Sequence, residues 1–409
     1  MTNGRRIVVV GAGPAGVGAA LAARQQDAAA EVLLLMDEHC EPYEKPPLSK
    51  AVLTGKAMPR DAPIAGPKGV AGAGVKLCPG VRVTQIDRAG KAVVTESGER
   101  FGYDALVLAT GCANRVLPMF PLGQKGIHYL RMESEARALA ADLAGARSLA
   151  VIGGGVVGLE IAASAAELGR QVAVIEIAPR ILSRLCDEDT AVLIHDRHHA
   201  RGVAIHTASA ITALRLRPEG GFTLELSGGT SIEADLIVVG AGAVPDDRLA
   251  ASAGLTTQDG IVVDDHGRTS DPSIYAAGDC TRFPGPHGPV RLENWRHAQE
   301  HGAIAGRNAA GGDAAYTTAP SFWSEQFDMY IQGVGWPIPK PTERVRRPLG
   351  AGAALVFELD GPSIAYAVGI NAQRDIAMIR RLIERRIPVT AADLADPAKP
   401  LAQMLKAKA

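Results

Sequence analysis

The chain has 409 residues, more than one ordinary domain holds, so its length predicts two or three domains. Its 43 Lys and Arg residues nearly balance 44 Asp and Glu residues, which argues against a partner chosen by overall charge, such as nucleic acid or an anionic membrane. No run of about 18 uncharged apolar residues predicts a membrane span. A strand pattern also stands where a signal peptide would need an apolar helix. We therefore expect a cytoplasmic protein that binds neither nucleic acid nor membrane.

The first predicted unit is a β-strand, a glycine-rich turn, a helix and a second strand. The apolar run 7–10 leads into Gly-Ala-Gly-Pro-Ala-Gly at 11–16, and an Ala/Leu-rich helix continues to about residue 25. The second apolar run, 32–36, ends at Asp37. Continuous apolar runs between helices indicate parallel strands that are buried on both faces.

A near copy of this unit begins about 140 residues later. The run 149–152 leads into Gly-Gly-Gly-Val-Val-Gly at 153–158, a helix to about residue 168 and the strand 172–175, which ends at Glu176. Each unit also contains a predicted β-meander, at 81–94 and 204–226. Each then closes with an apolar strand and a glycine turn, the first at Thr110 and Gly111 and the second at Gly242.

The rest of the chain does not repeat this pattern of strands, glycine turns and helices. A short apolar strand at 274–277 ends at Gly278 and Asp279, and 59–74 is a Pro/Gly/Ala-rich segment that we expect to be irregular. From about residue 317, strands are predicted at 322–334, 353–357 and 363–370, followed by a helix at 375–386. We predict two Rossmann-like three-layer ββα dinucleotide-binding domains plus a C-terminal α+β interface domain. The predicted boundaries are 1–112 with 244–316, then 113–243, then 317–409.

The two glycine turns carry the chemistry. Glycines allow a tight turn and let the backbone approach a pyrophosphate, which then lies against the N–H groups of the helix N-terminus. An acid at the end of the next strand binds the adenosine ribose. Asp37 lies 26 positions after Gly11, and Glu176 lies 23 positions after Gly153, and each spacing accommodates one helix and one strand. Two such copies predict two dinucleotide sites.

Further motifs show a resemblance to a known family. Pro-Tyr-Glu-Lys-Pro-Pro-Leu-Ser-Lys at 42–50, Ala-Thr-Gly at 109–111, Tyr-Ala-Ala-Gly-Asp at 275–279 and Phe-Trp-Ser-Glu-Gln-Phe at 322–327 resemble the two-dinucleotide flavoprotein oxidoreductases. More closely, the chain resembles the NADH-dependent ferredoxin reductases that serve cytochromes P450 and Rieske oxygenases, over nearly its whole length. The resemblance implies FAD in the first unit and NAD in the second.

The resemblance also assigns residues to each cofactor. The implied FAD contacts are Gly11, Gly13, Ala15, Gly16, Asp37, Lys50, Val83, Thr110, Gly111, Arg131, Asp279 and Trp295. The implied NAD contacts are Gly153, Gly155, Gly158, Glu160, Glu176, Arg184 and Gly242. Lys50, Glu160 and Trp323 are the implied catalytic residues, with a Lys50–Glu160 pair because a Glu in the first turns of a buried helix needs a partner. No metal site is predicted.

Glu176 also predicts which nicotinamide cofactor is used. A carboxylate there binds the 2′-hydroxyl of NAD and repels the 2′-phosphate of NADP, for which an Arg at or just after this position would be expected. Ile177, Ala178 and Pro179 follow instead, and Arg180 is four residues on. The sequence therefore favours NAD.

The five cysteines are scattered, and none forms a C-x-x-C pair or stands near Pro47, where oxidase and peroxidase relatives would need one. Without a sulfur relay, electrons must leave the flavin directly for an external acceptor. The resemblance implies a [2Fe–2S] ferredoxin, which would serve a P450 or a Rieske oxygenase. The alternatives are rubredoxin, a quinone or oxygen as acceptor, or a redox-sensing protein that resembles apoptosis-inducing factor.

The C-terminal segment 317–409 has 12 Lys and Arg against 9 Asp and Glu, a modest basic excess. Ferredoxins are usually acidic, so basic residues at the rim would speed their encounter. We predict docking near Trp323, with Arg344, Arg346 or Arg347 as rim charges.

Overall fold

The structure is a computed structural model that describes residues 4–350 and 352–405; Lys406 and Lys408 of the predicted basic excess lie outside this range. The helices are α1 (Pro14–Gln26), α2 (Glu133–Gly145), α3 (Val156–Glu167), α4 (Glu188–Ala200), α5 (Arg248–Ser252), α6 (Trp295–Ala309), α7 (Gln373–Glu384), α8 (Ala391–Ala395) and α9 (Leu401–Met404). Short 3₁₀ helices span Pro46–Ser49, Pro59–Asp61, Val70–Ala73 and Gly278–Cys280.

The strands of the first half of the chain are β1 (Arg6–Val10), β2 (Glu31–Leu35), β3 (Lys76–Cys78), β4 (Val83–Asp87), β5 (Ala92–Thr95), β6 (Arg100–Gly102), β7 (Ala105–Leu108), β8 (Cys112–Asn114), β9 (Ile127–His128), β10 (Ser148–Ile152), β11 (Gln171–Ile175) and β12 (Val203–His206). Those of the second half are β13 (Ile211–Leu216), β14 (Phe222–Leu226), β15 (Ser231–Ala234), β16 (Leu236–Val239), β17 (Ala243–Pro245), β18 (Ile261–Val262), β19 (Ile274–Ala276), β20 (Thr281–Gly285), β21 (Gly288–Val290), β22 (Ser321–Gln326), β23 (Met329–Gly335), β24 (Glu343–Gly350), β25 (Ala353–Asp360) and β26 (Ser363–Ile370).

The chain divides into two compact units, each built from three segments. The first unit comprises Met1–Glu44, Pro59–Ala113 and Ala243–Pro320. The second comprises Lys45–Met58, Asn114–Gly242 and Ser321–Ala409. The short segment that carries Lys50 therefore groups with the second unit. The three-domain boundaries given above remain a proposal.

The first unit is built on a parallel sheet with strand order β19-β7-β1-β2-β3. Its central strands are buried along their length, as expected for apolar strands covered on both faces. Helices α1 and α6 pack at close range, which Gly302 of α6 permits. A Cβ at this position would lie 2.0 Å from the Ala15 carbonyl oxygen. The antiparallel meander β4-β5-β6 completes this module.

The second unit repeats this design. Its parallel sheet has the order β12-β11-β10-β16-β9, and β13-β14-β15 forms an antiparallel meander. We predicted that the meander would start at Ala204, which was wrong: strand β12 joins the parallel sheet beside β11. The run 203–206 is too short for its periodicity to distinguish the two environments.

An antiparallel sheet with the order β22-β23-β26-β25-β24 follows in the same unit. Helix α7 packs one apolar face, including Ile376, Ile379 and Leu382, onto this sheet. Met329 and Ile331 of β23 share one core with Leu159 and Ile161 of α3, which brings the C-terminal sheet against the second nucleotide helix. The predicted fold class is confirmed.

Among the residues that the structure describes, no helix is both long and apolar enough to cross a membrane.

Candidate functional site

The glycine turn of the first unit is shaped by close backbone contacts. Gly11 has a φ of +100° and donates its N–H to the Leu35 carbonyl at 2.8 Å. A Cβ on Gly16 would lie 1.7 Å from the Gly11 carbonyl oxygen, so only glycine allows the helix to start this close to the turn. Gly13 is the N-cap of α1, and a Cβ there would meet no described atom within 4 Å. The turn is closed on the protein side and open at Gly13, as a pyrophosphate requires.

Three further predicted FAD residues of this unit lie at or just after the ends of strands. Asp37 is exposed two residues after β2, and Val83 begins β4. The Thr110 hydroxyl donates to the Asp246 carbonyl at 2.6 Å, which anchors the turn after β7.

Asp279 and Trp295 lie on elements that pack together in the first unit. Asp279 stands half-buried in the 3₁₀ turn after β19, and Trp295 is the first residue of α6. The Gly278 N–H donates to Nδ1 of buried His301 on α6 at 3.3 Å. This hydrogen bond ties the Asp279 turn to the helix that Trp295 begins.

The glycine turn of the second unit repeats the first one. Gly153 has a φ of +109° and donates to the Ile175 carbonyl at 2.8 Å. A Cβ on Gly158 would lie 2.2 Å from the Gly153 carbonyl oxygen, whereas one on Gly155, the N-cap of α3, would meet no described atom within 4 Å. The residues present therefore fit a second dinucleotide.

Glu176 is held beside this turn by two backbone amides. Gly154 donates to Oε2 at 2.6 Å and Ala178 donates to Oε1 at 2.7 Å, so the carboxylate is oriented next to the glycine turn. Arg180 is committed elsewhere, because its guanidinium donates to the carbonyls of Cys186 at 2.5 Å and Ser183 at 3.1 Å. Arg184 is exposed. This geometry is compatible with a carboxylate that binds the 2′-hydroxyl of NAD, and the selection of NAD by Glu176 stays a prediction.

We expect the variant Glu176→Ala/Ile177→Arg to shift the ratio of kcat/KM for NADH over NADPH toward NADPH by about 10- to 100-fold. The change removes the repulsion and offers a charged hydrogen bond, worth about 1.5–3 kcal/mol, from a position that is 75% exposed. Leu216→Arg, which adds the same charge at another exposed apolar site of the unit, is the control and should leave the ratio unchanged. An unaltered ratio in the double variant would contradict the assignment.

Lys50 and Glu160 form the predicted ion pair inside the second unit. Lys50 Nζ lies 3.1 Å from Glu160 Oε2, and the Glu160 side chain is only 5% exposed. The Ser49 hydroxyl donates to the same oxygen at 2.5 Å, and the Ser324 hydroxyl donates to Oε1 at 2.8 Å. A carboxylate this deeply buried needs such partners.

Two structural elements bring the residues around Glu160 together. The 3₁₀ helix Pro46–Ser49 is stiffened by its prolines and is fastened to α3 by a 2.7 Å hydrogen bond from the Ser164 hydroxyl to the Ser49 carbonyl. Strand β22 supplies Ser324 from the C-terminal sheet. The sequence reasoning missed Ser49 and Ser324. For Ser324, the sequence offered a signal in the motif at 322–327. Ser324 and Gln326 alternate there on one face of a predicted strand, where apolar residues are usual on a buried face.

The other site residues predicted for the second unit are placed as follows. Arg131 donates its N–H to Glu135 at 2.5 Å and its carbonyl accepts from Lys45 at 3.3 Å. Gly242 has a φ of +95° at the turn after β16. Trp323 is half-buried on β22, opposite Gln332 of β23 and on the other face of the strand from Ser324.

Arg347 was wrongly predicted as a rim charge. It is 3% exposed, and its guanidinium donates to the carbonyls of Leu394 at 3.2 Å and Lys399 at 2.6 Å, which holds the C-terminal segment to the sheet. Arg344 and Arg346 are exposed, with Glu358 and Asp189 as their ion-pair partners.

All five cysteines lie in the described part of the chain, and all are thiols rather than half-cystines. Burial raises the pKa of Cys186 to about 12 and also raises that of Cys280, so both are protonated and poor nucleophiles at neutral pH. These two buried thiols are therefore poorly suited to relay electrons.

Two glycine turns of one design, each with its acid, and a C-terminal antiparallel sheet define a flavoprotein reductase with two dinucleotide-binding modules. Comparison with known proteins makes the class specific. The chain belongs to the pyridine nucleotide-disulphide oxidoreductase family, whose model matches residues 5–302, and residues 321–405 match the reductase C-terminal domain. Its cofactors are FAD and NAD(H).

Individual relatives and structures agree with this assignment. The chain is 38% identical over 402 residues to the ferredoxin–NAD(+) reductase component of the anthranilate 1,2-dioxygenase system of Burkholderia cepacia, covering 95% of this chain and 97% of that one. It is also 38% identical over 333 residues to rubredoxin–NAD(+) reductase of Pseudomonas putida, covering 80% and 86%. The crystal structure of the covalent putidaredoxin reductase–putidaredoxin complex matches with a TM-score of 0.91 at 31% identity, covering 99% of both chains.

Proposed function

We propose that this chain is an NADH-dependent ferredoxin reductase that passes single electrons from its flavin to a [2Fe–2S] ferredoxin, which in turn serves a cytochrome P450 or a Rieske oxygenase. The observation that carries the proposal is the combination of two nucleotide turns with a buried Lys50–Glu160 pair and no disulfide among the described cysteines. The match to a ferredoxin reductase component over 95% of the chain supports the acceptor class.

The residues of the chain supply binding and orientation. The bound cofactors supply hydride donation and one-electron chemistry. Gly13 and Gly155 leave room for each pyrophosphate at a helix N-terminus, and Glu176 selects the adenosine end of the nicotinamide cofactor. Lys50 and Glu160 hold a fixed charge pair for the reacting end, and the protein thereby contributes position rather than acid–base machinery.

Trp323 is our proposed exit for electrons. It lies on β22, one residue from Ser324, which contacts Glu160, and its ring belongs to the opposite face of that strand. Arg344 and Arg346 remain the exposed basic residues proposed for the rim where an acidic ferredoxin docks.

An acceptor panel tests the proposal. The purified FAD-loaded protein is supplied with NADH and, in turn, with a [2Fe–2S] ferredoxin, rubredoxin, a quinone and oxygen. We expect the ferredoxin to be reduced with the highest kcat/KM. A slow rate with every acceptor and a long-lived reduced complex with NADH would instead support a redox sensor.

Rubredoxin is the second candidate acceptor. The relative named rubredoxin–NAD(+) reductase is as similar in sequence as the ferredoxin reductase component, although the match covers 80% rather than 95% of this chain. A higher kcat/KM with rubredoxin than with every ferredoxin in the panel would replace the proposed acceptor and leave the NADH-to-flavin step unchanged.

Removal of every cysteine should leave turnover intact. Substituting alanine at buried Cys112, Cys186 and Cys280 and serine at Cys40 and Cys78 removes all thiols while it limits new buried hydroxyl groups. We expect the rate of ferricyanide reduction by NADH to stay within about threefold of wild type, since no thiol carries electrons. Loss of turnover with FAD still bound would reveal a thiol relay.

The cytoplasmic location remains a proposal, and a cell fractionation that follows NADH–ferricyanide activity tests it.

A further inference from the structure

A row of buried polar side chains runs from Glu160 into the core of the second unit. Ser324 is 1% exposed and Gln326 is fully buried, and both lie on the same face of β22 because they are two residues apart. His198 of α4, also fully buried, lies beyond them. Polar groups in such a position lose their hydration, so their hydrogen bonds must compensate.

These residues form one continuous hydrogen-bonded chain. Nε2 of His198 lies 2.9 Å from Gln326 Oε1, Gln326 Nε2 donates to the Ser324 hydroxyl at 2.9 Å, and that hydroxyl donates to Glu160 Oε1 at 2.8 Å. A carboxylate only accepts, so the single Ser324 proton points to Glu160. Ser324 must then accept from the Gln326 amide, which leaves the amide oxygen to accept from His198.

The three hydrogen bonds therefore run in one direction, with every donor facing toward the Glu160 carboxylate. This assigns the proton of neutral His198 to Nε2. Burial lowers the pKa of His198, so the imidazole is neutral at neutral pH and adds no second cation to the row. The His198 ring is fixed edge-on against Phe327, with 5.0 Å between ring centroids. Hydrogen bonds aligned in this way strengthen one another.

The two oxygens of Glu160 have different partners as a result. Oε1 accepts a hydrogen bond from Ser324, the end of the row that begins at His198. Oε2 accepts a hydrogen bond from Ser49 at 2.5 Å and lies 3.1 Å from Lys50 Nζ. The carboxylate plane is therefore set from both sides. If Oε1 lost its donor, the group could turn about its terminal torsion, and the contact between Oε2 and Lys50 would loosen.

We propose that Ser324, Gln326 and His198 are positioning residues that fix the Glu160 carboxylate and, through it, the Lys50 ammonium. For its effect on the reaction, this inference rests on the proposed function. The assignment gives a role to the polar residues Ser324 and Gln326 on the buried face of β22, because Ser324 supplies the donor that the buried Oε1 of Glu160 needs.

The test uses the FAD-loaded protein with Gln326→Met, which keeps most of the side-chain volume and removes both hydrogen bonds. Two quantities are measured: the acetylation rate of Lys50, followed by mass spectrometry under competitive labelling, and the limiting rate of flavin reduction by NADH. We expect Lys50 to react about threefold faster, because Glu160 holds its Nζ less firmly, and flavin reduction to slow by about tenfold. The Kd for NADH should stay within about twofold, because the nucleotide turn is untouched.

Ser324 gives the matched rescue. Ser324→Ala should reproduce both effects, and Ser324→Thr, which restores the hydroxyl, should return both rates to within about twofold of wild type. Tyr366→Phe is the control. It deletes a 2.7 Å hydrogen bond to the Leu185 carbonyl in the same core that is not part of the row ending at Glu160, and it should alter neither rate.

The Gln326→Met substitution in Glu160→Gln protein distinguishes the positioning of Glu160 from a general loss of stability. In Glu160→Gln protein, Gln326→Met should cause no further change in either rate, since residues that act through one group are not additive. Equal effects in both backgrounds, or wild-type values for both rates in Gln326→Met, would overturn the inference. If the proposed function alone is wrong, Lys50 labelling still responds while the ferredoxin assay fails.

Discussion

Replacing Gly155 by alanine raises the Kd of NADH by about 10- to 100-fold and leaves the melting temperature of the FAD-loaded protein unchanged. Gly155 is the N-cap of α3 with φ of −81°, a conformation that alanine adopts freely. The new Cβ meets no described atom within 4 Å, so it enters only the space left for the pyrophosphate. The added methyl group would crowd the pyrophosphate at a cost of about 1–3 kcal/mol in binding free energy, which gives the expected loss of NADH affinity.

Two other glycines complete this experiment. Gly145→Ala makes the same exchange at the end of α2, where a Cβ also meets no described atom within 4 Å, and should leave NADH affinity unchanged. Gly158→Ala should lower the melting temperature as well, because its Cβ would lie 2.2 Å from the Gly153 carbonyl oxygen. Titration of flavin absorbance with NADH, next to a thermal melt, reads both quantities. Unimpaired NADH affinity in Gly155→Ala would mean that the nucleotide lies elsewhere.

Replacing Lys50 by methionine lowers the free energy of unfolding by about 3–5 kcal/mol and slows flavin reduction by NADH by at least about tenfold. The substitution leaves the Glu160 carboxylate buried with two serine hydroxyls but no cation. Unfolding in urea gives the first quantity, and stopped-flow loss of flavin absorbance gives the second.

The double variant Lys50→Met/Glu160→Gln distinguishes structure from function in that result. It removes the charge that Lys50→Met leaves unpaired, so we expect most of the stability to return while flavin reduction stays slow. If the double variant were reduced at the wild-type rate, the ion pair would be structural only.

The sequence predicts the nucleotide modules well because their signals are local. Gly11 has a φ of +100° that favours glycine, and a Cβ on Gly16 would meet the Gly11 carbonyl oxygen five positions before it. Asp37 and Glu176 follow from the length of one helix and one strand. The resulting turns and parallel strands are present at the predicted places, with strand ends that differ by one or two residues.

Other elements were missed where the local pattern is ambiguous. Strand β24 was not predicted because its core-facing positions include Arg347 between Val345 and Leu349, and an arginine there resembles a surface residue in the sequence. The carbonyls of Leu394, Pro397 and Lys399, about 50 positions away, accept from its guanidinium and make that burial possible. Helix α4 was missed as well, although Asp187 accepts from the Thr190 N–H as an N-cap and His and Arg fill the last turn.

The surroundings of Glu160 depend on contacts that no local pattern contains. Its hydrogen-bond partners Ser49 and Ser324 lie 111 and 164 positions away in the chain, and His198 reaches Gln326 across 128 positions. These contacts exist because α3 and the C-terminal sheet share one core. The family resemblance implied Lys50 and Glu160 but not the residues that hold them.

The most direct test of the central claim is a single-turnover experiment. The protein is reduced with one equivalent of NADH and mixed in a stopped-flow instrument with excess oxidised [2Fe–2S] ferredoxin, while flavin and ferredoxin absorbance are followed together. We predict that two ferredoxins are reduced per flavin in successive steps. We also predict that added salt slows these steps while it leaves flavin reduction by NADH nearly unchanged, since only protein encounter depends on long-range charge. A flavin that stays reduced in the presence of ferredoxin, or that returns to the oxidised state without ferredoxin reduction, would contradict the account.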